Sequence, residues 1–178
     1  MQNNKTVVFF LIKFFGTYLI LFLIYSWYLN STQNKIEIFA CAPITKTVAI
    51  QTSKLLNFLG YNAKVVQHSE EVSMKLIIND NYIARIIEGC NSISIIILFI
   101  AFLIAFANTF KVTALYVLFG SLIIYGTNII RVTIISIALY KYPEYEKLLH
   151  DVVFPSIIYG VTFLLWFVWV RYFSKLKK

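Results

Sequence analysis

The chain has 178 residues, of which 60% are hydrophobic, and its net charge is +8. Soluble globular domains contain about 45–50% apolar residues, so this composition excludes an ordinary soluble domain. The length suits one domain, and the basic residues flank apolar stretches instead of forming a patch for nucleic acid. We therefore predict a single membrane domain over residues 1–178 that resides in a lipid bilayer and has no nucleic-acid partner.

Four apolar stretches approach the roughly 20 residues that a helix needs to cross a bilayer. They lie at about residues 7–28, 91–110, 112–139 and 152–172. The sequence thus predicts an all-α polytopic membrane protein with about four transmembrane helices.

The distribution of charge predicts the orientation of these helices. With a cytoplasmic N-terminus, every acidic residue lies outside and the cytoplasmic pieces hold only basic ones, namely Lys5, Lys13, Lys111, Arg171, Lys175, Lys177 and Lys178. The opposite topology would translocate the basic tail, against the positive-inside rule. We predict a multi-pass protein of the plasma (inner) membrane with both termini in the cytoplasm.

Residues 29–89 are predicted to form a small α/β extracytoplasmic subdomain inserted between helices 1 and 2. Thr45–Leu59 has the pattern of a helix that ends at the C-cap glycine Gly60, and Tyr61–Gln67 has that of a strand. The segments 74–78 and 82–87 flank Asn79-Asp80-Asn81, which indicates a hairpin with a short polar loop.

A second outer segment, residues 140–151, is predicted to form a short interfacial helix that begins at Pro143. Pro155 follows soon afterwards and should kink or restart the helix as it enters the membrane. His150 is therefore expected close to this break.

Cys90 precedes a long apolar segment, with Asn91 or Ser92 as the helix cap. This position is near the positive end of the helix dipole, which favours the thiolate, and free N–H groups there can stabilise an oxyanion. An isolated cysteine is more often a packed apolar side chain, so its partners decide the interpretation.

Arg131 follows Lys111 by twenty residues, about one bilayer core of helix, with apolar residues on both sides of it. Such an arginine snorkels to the headgroups or faces protein or water. Asn128 lies on the same helical face and is predicted to hold the guanidinium.

His150 lies at the same outer surface as Cys90 and Arg131. Together they supply a nucleophile, a proton shuttle and a cation for thiol acyl transfer. No metal cluster, Cys-x-x-Cys motif or phosphate loop is present in the sequence, so we predict neither a cofactor nor a metal. A disulfide between Cys41 and Cys90 is an open alternative that would occupy the nucleophile.

These residues resemble the motifs of the exosortase and archaeosortase family, membrane-embedded cysteine transpeptidases with sortase-like chemistry. The similarity covers about residues 86–172 and rests on Glu88-Gly89-Cys90-Asn91-Ser92, on Asn128-Ile129-Ile130-Arg131 and on His150. It is greatest to the short exosortase F subgroup. The family usually has glycine two residues after the cysteine, where this chain has Ser92.

The resemblance implies that Cys90, Arg131 and His150 form the catalytic set on the extracytoplasmic face. The partner would be an exported protein whose C-terminal transmembrane sorting signal is cleaved through a thioester on Cys90. A non-catalytic assembly or scaffold protein of an export or surface-anchoring system is the main alternative. A transporter component is weaker, because no inverted repeat is evident.

Overall fold

The fold is described from a computed structural model. The structure describes residues 2–33, 40–107 and 109–173, without the side chains of residues 2–6 and 150. The helices are α1 Gln2–Thr32, α2 Pro43–Phe58, α3 Ile93–Ala105, α4 Phe110–Lys141, α5 Glu146–Leu148 and α6 Phe154–Val168. The strands are β1 Ala63–Gln67, β2 Met74–Ile78 and β3 Asn81–Ile86.

Among the described residues, three helical segments are long and apolar enough to cross a membrane: Val7–Thr32, Phe110–Lys141 and Pro143–Phe173. The remaining predicted span, residues 91–110, corresponds to α3, which has only 13 residues. A helix of that length rises about 20 Å, less than the roughly 30 Å of a bilayer core. The count of four full spans is therefore not confirmed, although α3 packs against α1, α4 and α6.

The α/β subdomain is present. Helix α2 starts and ends within two residues of the predicted bounds, and Gly60 after it has a φ of +89°, the left-handed conformation expected of a C-cap glycine. The strands form an antiparallel sheet in the order β1-β2-β3. Asn79 and Asp80 both have positive φ and lie between the paired residues Ile78 and Asn81, so they form the two-residue turn of the hairpin.

Two apolar clusters hold the molecule together. The outer cluster joins α2 and the sheet to α4, with Leu56, Leu76 and Val132 among its buried members. The inner cluster lies among α3, α4 and α6 and includes Phe99 and Trp169. Trp169 is fully buried, and its ring contacts those of Phe173 and Tyr116.

After α4, the chain is helical throughout residues 143–173, a range that includes α6. It begins with a 3₁₀ turn at Pro143, as predicted, and includes a π-helical turn, Leu149–Val153, immediately before α6. Pro155 lies in the first turn of α6, where its missing N–H costs least. The break predicted there is thus a change in helical pitch rather than an interruption, and His150 lies on the π turn.

Candidate active site

Cys90 ends a short 3₁₀ turn, Glu88–Cys90, that leads from β3 into α3. Its backbone N–H donates to the Ile87 carbonyl at 2.9 Å, and its side chain is half-buried. The thiol is thus held between the outer subdomain and the membrane helices by backbone geometry.

Asn91 and Ser92 shape the turn after Cys90. The Asn91 Oδ1 accepts the N–H of Ile93 at 2.9 Å, which satisfies one free donor of the first turn of α3. Ser92 has a φ of +63°, in the left-handed region that favours glycine, and its hydroxyl donates to the Asn91 carbonyl at 2.6 Å. The departure from the family pattern at Ser92 therefore occurs at a position whose backbone still suits glycine.

Arg131 is 4% exposed, so it faces the protein interior and the headgroup alternative is wrong. Its guanidinium carbon lies 3.7 Å from the centroid of the Phe154 ring. Its Nε and Nη2 are buried and have no hydrogen-bond partner among the described residues. A buried guanidinium with two such donors can bind an acceptor that lies outside the described part of the chain.

Asn128 does not hold the guanidinium, contrary to the prediction. Its Nδ2 donates to the Cys90 carbonyl at 2.7 Å, and its Oδ1 has no partner in the described part of the chain. The sequence spacing placed Asn128 correctly on the Arg131 face of α4, but the backbone turn at Cys90 competes for its amide. Helix α4 is thereby tied directly to the backbone of the cysteine.

Burial raises the pKa of the Cys90 thiol, and the negative charge of Glu88 adds to the rise. A hydrogen bond with the Ile87 backbone and the positive charge of Arg131 oppose it. Burial therefore opposes the stabilisation of the thiolate that is expected at the helix terminus, and the pKa of the thiol lies above its ordinary value. Nucleophilic attack from this position requires a base that removes the thiol proton.

His150 is placed only by its backbone, because its side chain lies outside the described structure. The π turn that carries it also carries Leu149, which lines the same cavity as Cys90. Phe154, which stacks on Arg131, follows this turn directly and lines the cavity as well. The backbone of His150 is therefore adjacent to the cavity that Cys90 lines.

That cavity has a volume of about 530 Å³ and lies between β3, the outer half of α4 and the start of α6. Cys90 and Gly89 line one end of it. Most of the remaining wall is apolar, including Ile83, Ile135 and Leu139. A cavity with this lining suits an apolar or small-residue ligand that reaches the thiol.

Glu88 is a structurally central residue that sequence reasoning missed. Its Oε1 accepts from Gln33 Nε2 at 3.0 Å and from the Ala42 N–H at 2.8 Å. Its Oε2 accepts from the Thr45 hydroxyl and from Asn91 Nδ2, the latter at 3.2 Å. The carboxylate thus joins the end of α1, the start of α2 and the cap of α3, two residues before Cys90.

The same network reaches α1 through Asn91, whose Nδ2 also donates to the Tyr25 hydroxyl at 2.8 Å. These partners are far apart in sequence, so hydropathy and spacing carry no signal of the network. The one available hint was an acidic residue placed directly before the motif cysteine.

Cys41 and Cys90 are both free thiols, so the disulfide alternative is not realised in this structure. Cys41 is 6% exposed, and its Sγ lies 3.9 Å from Gln67 Oε1. Within the described residues, no three His, Cys, Asp or Glu side chains gather in a way that could hold a metal ion.

Comparison with known proteins identifies the family of the chain. Residues 7–169 match the family described as transmembrane exosortase (Exosortase_EpsH). No curated protein and no solved structure matches the chain. The matched range includes α1 from Val7 onward, the α/β subdomain, Cys90, Arg131 and all of α6, and a match of that extent shows that the chain belongs to the transmembrane exosortase family.

Proposed function

We propose that the protein is a sortase-like cysteine peptidase or transpeptidase that cleaves the C-terminal sorting signal of exported proteins at the outer face of the plasma membrane. The main support is that the charge of the buried Arg131 acts on the Cys90 thiol in a chain of the exosortase family. Cys90 lines a cavity, and Phe154, which stacks on Arg131, lines the same cavity. The compact length and the Glu88–Ser92 motif favour the short exosortase F subgroup.

In the proposed reaction, His150 takes the thiol proton and the Cys90 sulfur attacks the scissile carbonyl carbon. The carbonyl π electrons move to oxygen, and the free N–H donors of Arg131 stabilise the oxyanion. Collapse of this intermediate breaks the C–N bond, and the leaving amine takes the proton from His150. The acyl group remains on Cys90 as a thioester until water or an amine displaces the thiol.

The membrane contributes proximity to this reaction. A substrate held by its own transmembrane helix presents the adjacent peptide at a fixed depth, so few further contacts are needed to align it. The charge distribution supports a topology with both termini cytoplasmic and with Cys90 on the outer side, where an exported substrate is found.

The test is to co-express the full chain with an exported reporter that ends in a candidate sorting signal, and to follow loss of a C-terminal tag. We expect Cys90→Ala and Cys90→Ser to abolish cleavage, whereas Cys41→Ala, which removes the other thiol, leaves it intact. Normal cleavage by both Cys90 variants would rule out this mechanism and favour the scaffold alternative.

A further inference from the structure

Strand β3 forms an outer edge of the sheet. It pairs with β2 on one side, and in the part of the chain that the structure describes no strand pairs with its other side. The unpaired edge of a strand presents N–H and C=O groups that can pair with another extended chain. This edge leads directly through Ile87 to the turn that carries Cys90.

The 530 Å³ cavity runs along this free edge. Five consecutive residues, Ile83 to Ile87, line it, followed by Gly89 and Cys90. Successive side chains of a strand point to opposite faces, so a cavity that contacts every residue in a run lies along the backbone edge and not over one face. The opposite wall is formed by Ser136 and its neighbours on α4 and by Leu149.

Resting on the acyl transfer proposed above, we propose that the substrate polypeptide binds in this groove as an extended strand. It pairs with the free edge of β3, and its scissile carbonyl thereby reaches the Cys90 sulfur. The mode of binding is β-strand addition, in which main-chain hydrogen bonds give affinity and the side-chain pockets give selectivity.

The length and lining of the groove define the peptide. The five residues Ile83 to Ile87, four of β3 and the one after it, extend about 16 Å at roughly 3.3 Å per residue, which matches a substrate segment of about five residues. The lining is mainly apolar, with Arg85 and Glu146 as charged members, and Arg85 already pairs with Glu71 at 2.9 Å. Small or apolar substrate side chains are therefore favoured.

The free donors of Arg131 indicate a peptide and not a lipid chain. Its Nε and Nη2 are buried and have no acceptor within residues 2–33, 40–107 and 109–173 as described, and its positive charge acts on Cys90. A lipid acyl chain offers no hydrogen-bond acceptor along its length, whereas a peptide carbonyl placed at Cys90 supplies one. A peptide thus satisfies both the edge of β3 and the guanidinium.

The experiment uses the purified full chain in lipid nanodiscs and measures alkylation of Cys90 by mass spectrometry. The probes are acetyl-tetraalanine chloromethyl ketone, its four derivatives that each carry one N-methylated amide, N-dodecyl iodoacetamide and iodoacetamide. Alkylation by the peptide forms a C–S bond, releases chloride and transfers the thiol proton to solvent. We expect N-methylation at alternate positions to slow labelling about three- to tenfold, because alternate amides face β3.

A protein variant tests the groove independently. Ser136 lines the groove. Its hydroxyl donates to the Val132 carbonyl of the same helix at 2.7 Å, so replacing the hydroxyl breaks no described hydrogen bond between α4 and another element. We expect Ser136→Phe to slow peptide labelling about tenfold and to leave iodoacetamide labelling unchanged, which also shows that the site is folded. The matched control is Ile134→Phe, two residues away on the exposed face of α4.

Equal labelling by all four N-methyl isomers would overturn the strand-addition proposal, as would faster labelling by the dodecyl probe than by the peptide. In that event the Cys90-dependent cleavage of the reporter would be unaffected, so the proposed function would survive. If reporter cleavage does not depend on Cys90, the acyl-transfer proposal fails and this one fails with it.

Discussion

Replacement of Glu88 by alanine should destabilise the outer part of the molecule more than any exposed acidic substitution. The change leaves the N–H of Ala42 and the hydroxyl of Thr45, both in fully buried residues, without their carboxylate acceptor. The Asn91 amide keeps the Tyr25 and Thr45 hydroxyls as acceptors. An unsatisfied buried donor costs about 1–3 kcal/mol. Since Glu88 itself is half-buried and water can enter, we take the lower value for each of the two donors, and expect a loss of about 2 kcal/mol in total.

Cys41 provides the assay for this loss. It is 6% exposed and directly precedes Ala42, so it reacts with a maleimide only when this region opens. A loss of about 2 kcal/mol in the free energy of opening should increase its labelling rate about thirtyfold. The labelling is measured by mass spectrometry on the full chain in nanodiscs, so that modification of Cys41 is distinguished from that of Cys90.

Glu71→Ala is the matched control. Glu71 forms an exposed ion pair with Arg85, with side chains 44% and 60% exposed, and such pairs contribute about 0–1 kcal/mol. Its effect on Cys41 labelling should be less than about fivefold. If Glu88→Ala behaves like Glu71→Ala, the carboxylate does not hold these segments together and the reasoning is wrong.

Three further outcomes are expected. Ser92→Gly should retain or raise the Tm because glycine adopts the left-handed φ of +63° without strain, whereas Ser92→Val should lose about 1–2 kcal/mol; equal Tm values for the two variants would contradict this. Gly120→Ala should lower the free energy of unfolding by about 1–3 kcal/mol, because the new Cβ would lie 2.6 Å from Phe99 Cε1, while Gly126→Ala, with open space around it, should not. In a Cys41→Ala background, Arg131→Gln should move the pH midpoint of Cys90 alkylation upward and Glu88→Gln should move it downward. The reason is that Arg131 lowers and Glu88 raises the pKa of the Cys90 thiol, so shifts in the same direction would refute the assigned charges.

Local features of this protein were determined by the sequence alone. The turn at Asn79 and Asp80 and the C-cap at Gly60 depend on φ preferences of neighbouring residues, so both could be predicted without knowledge of the rest of the chain. The membrane class followed from hydropathy, whereas hydropathy left Arg131 open between the headgroups and the protein interior, and its burial came only from the fold.

Only the tertiary structure decided how these parts meet. Glu88 accepts hydrogen bonds from residues 43 to 55 positions away, and Asn128 prefers the Cys90 carbonyl to the guanidinium three residues later on its own helix. Packing between elements likewise determines three further features: the burial that raises the pKa of the Cys90 thiol, the short length of α3 and the buried position of Trp169. Periodicity and composition report a residue's preference for apolar or polar surroundings, whereas the choice among several suitable partners is made by the packed chain.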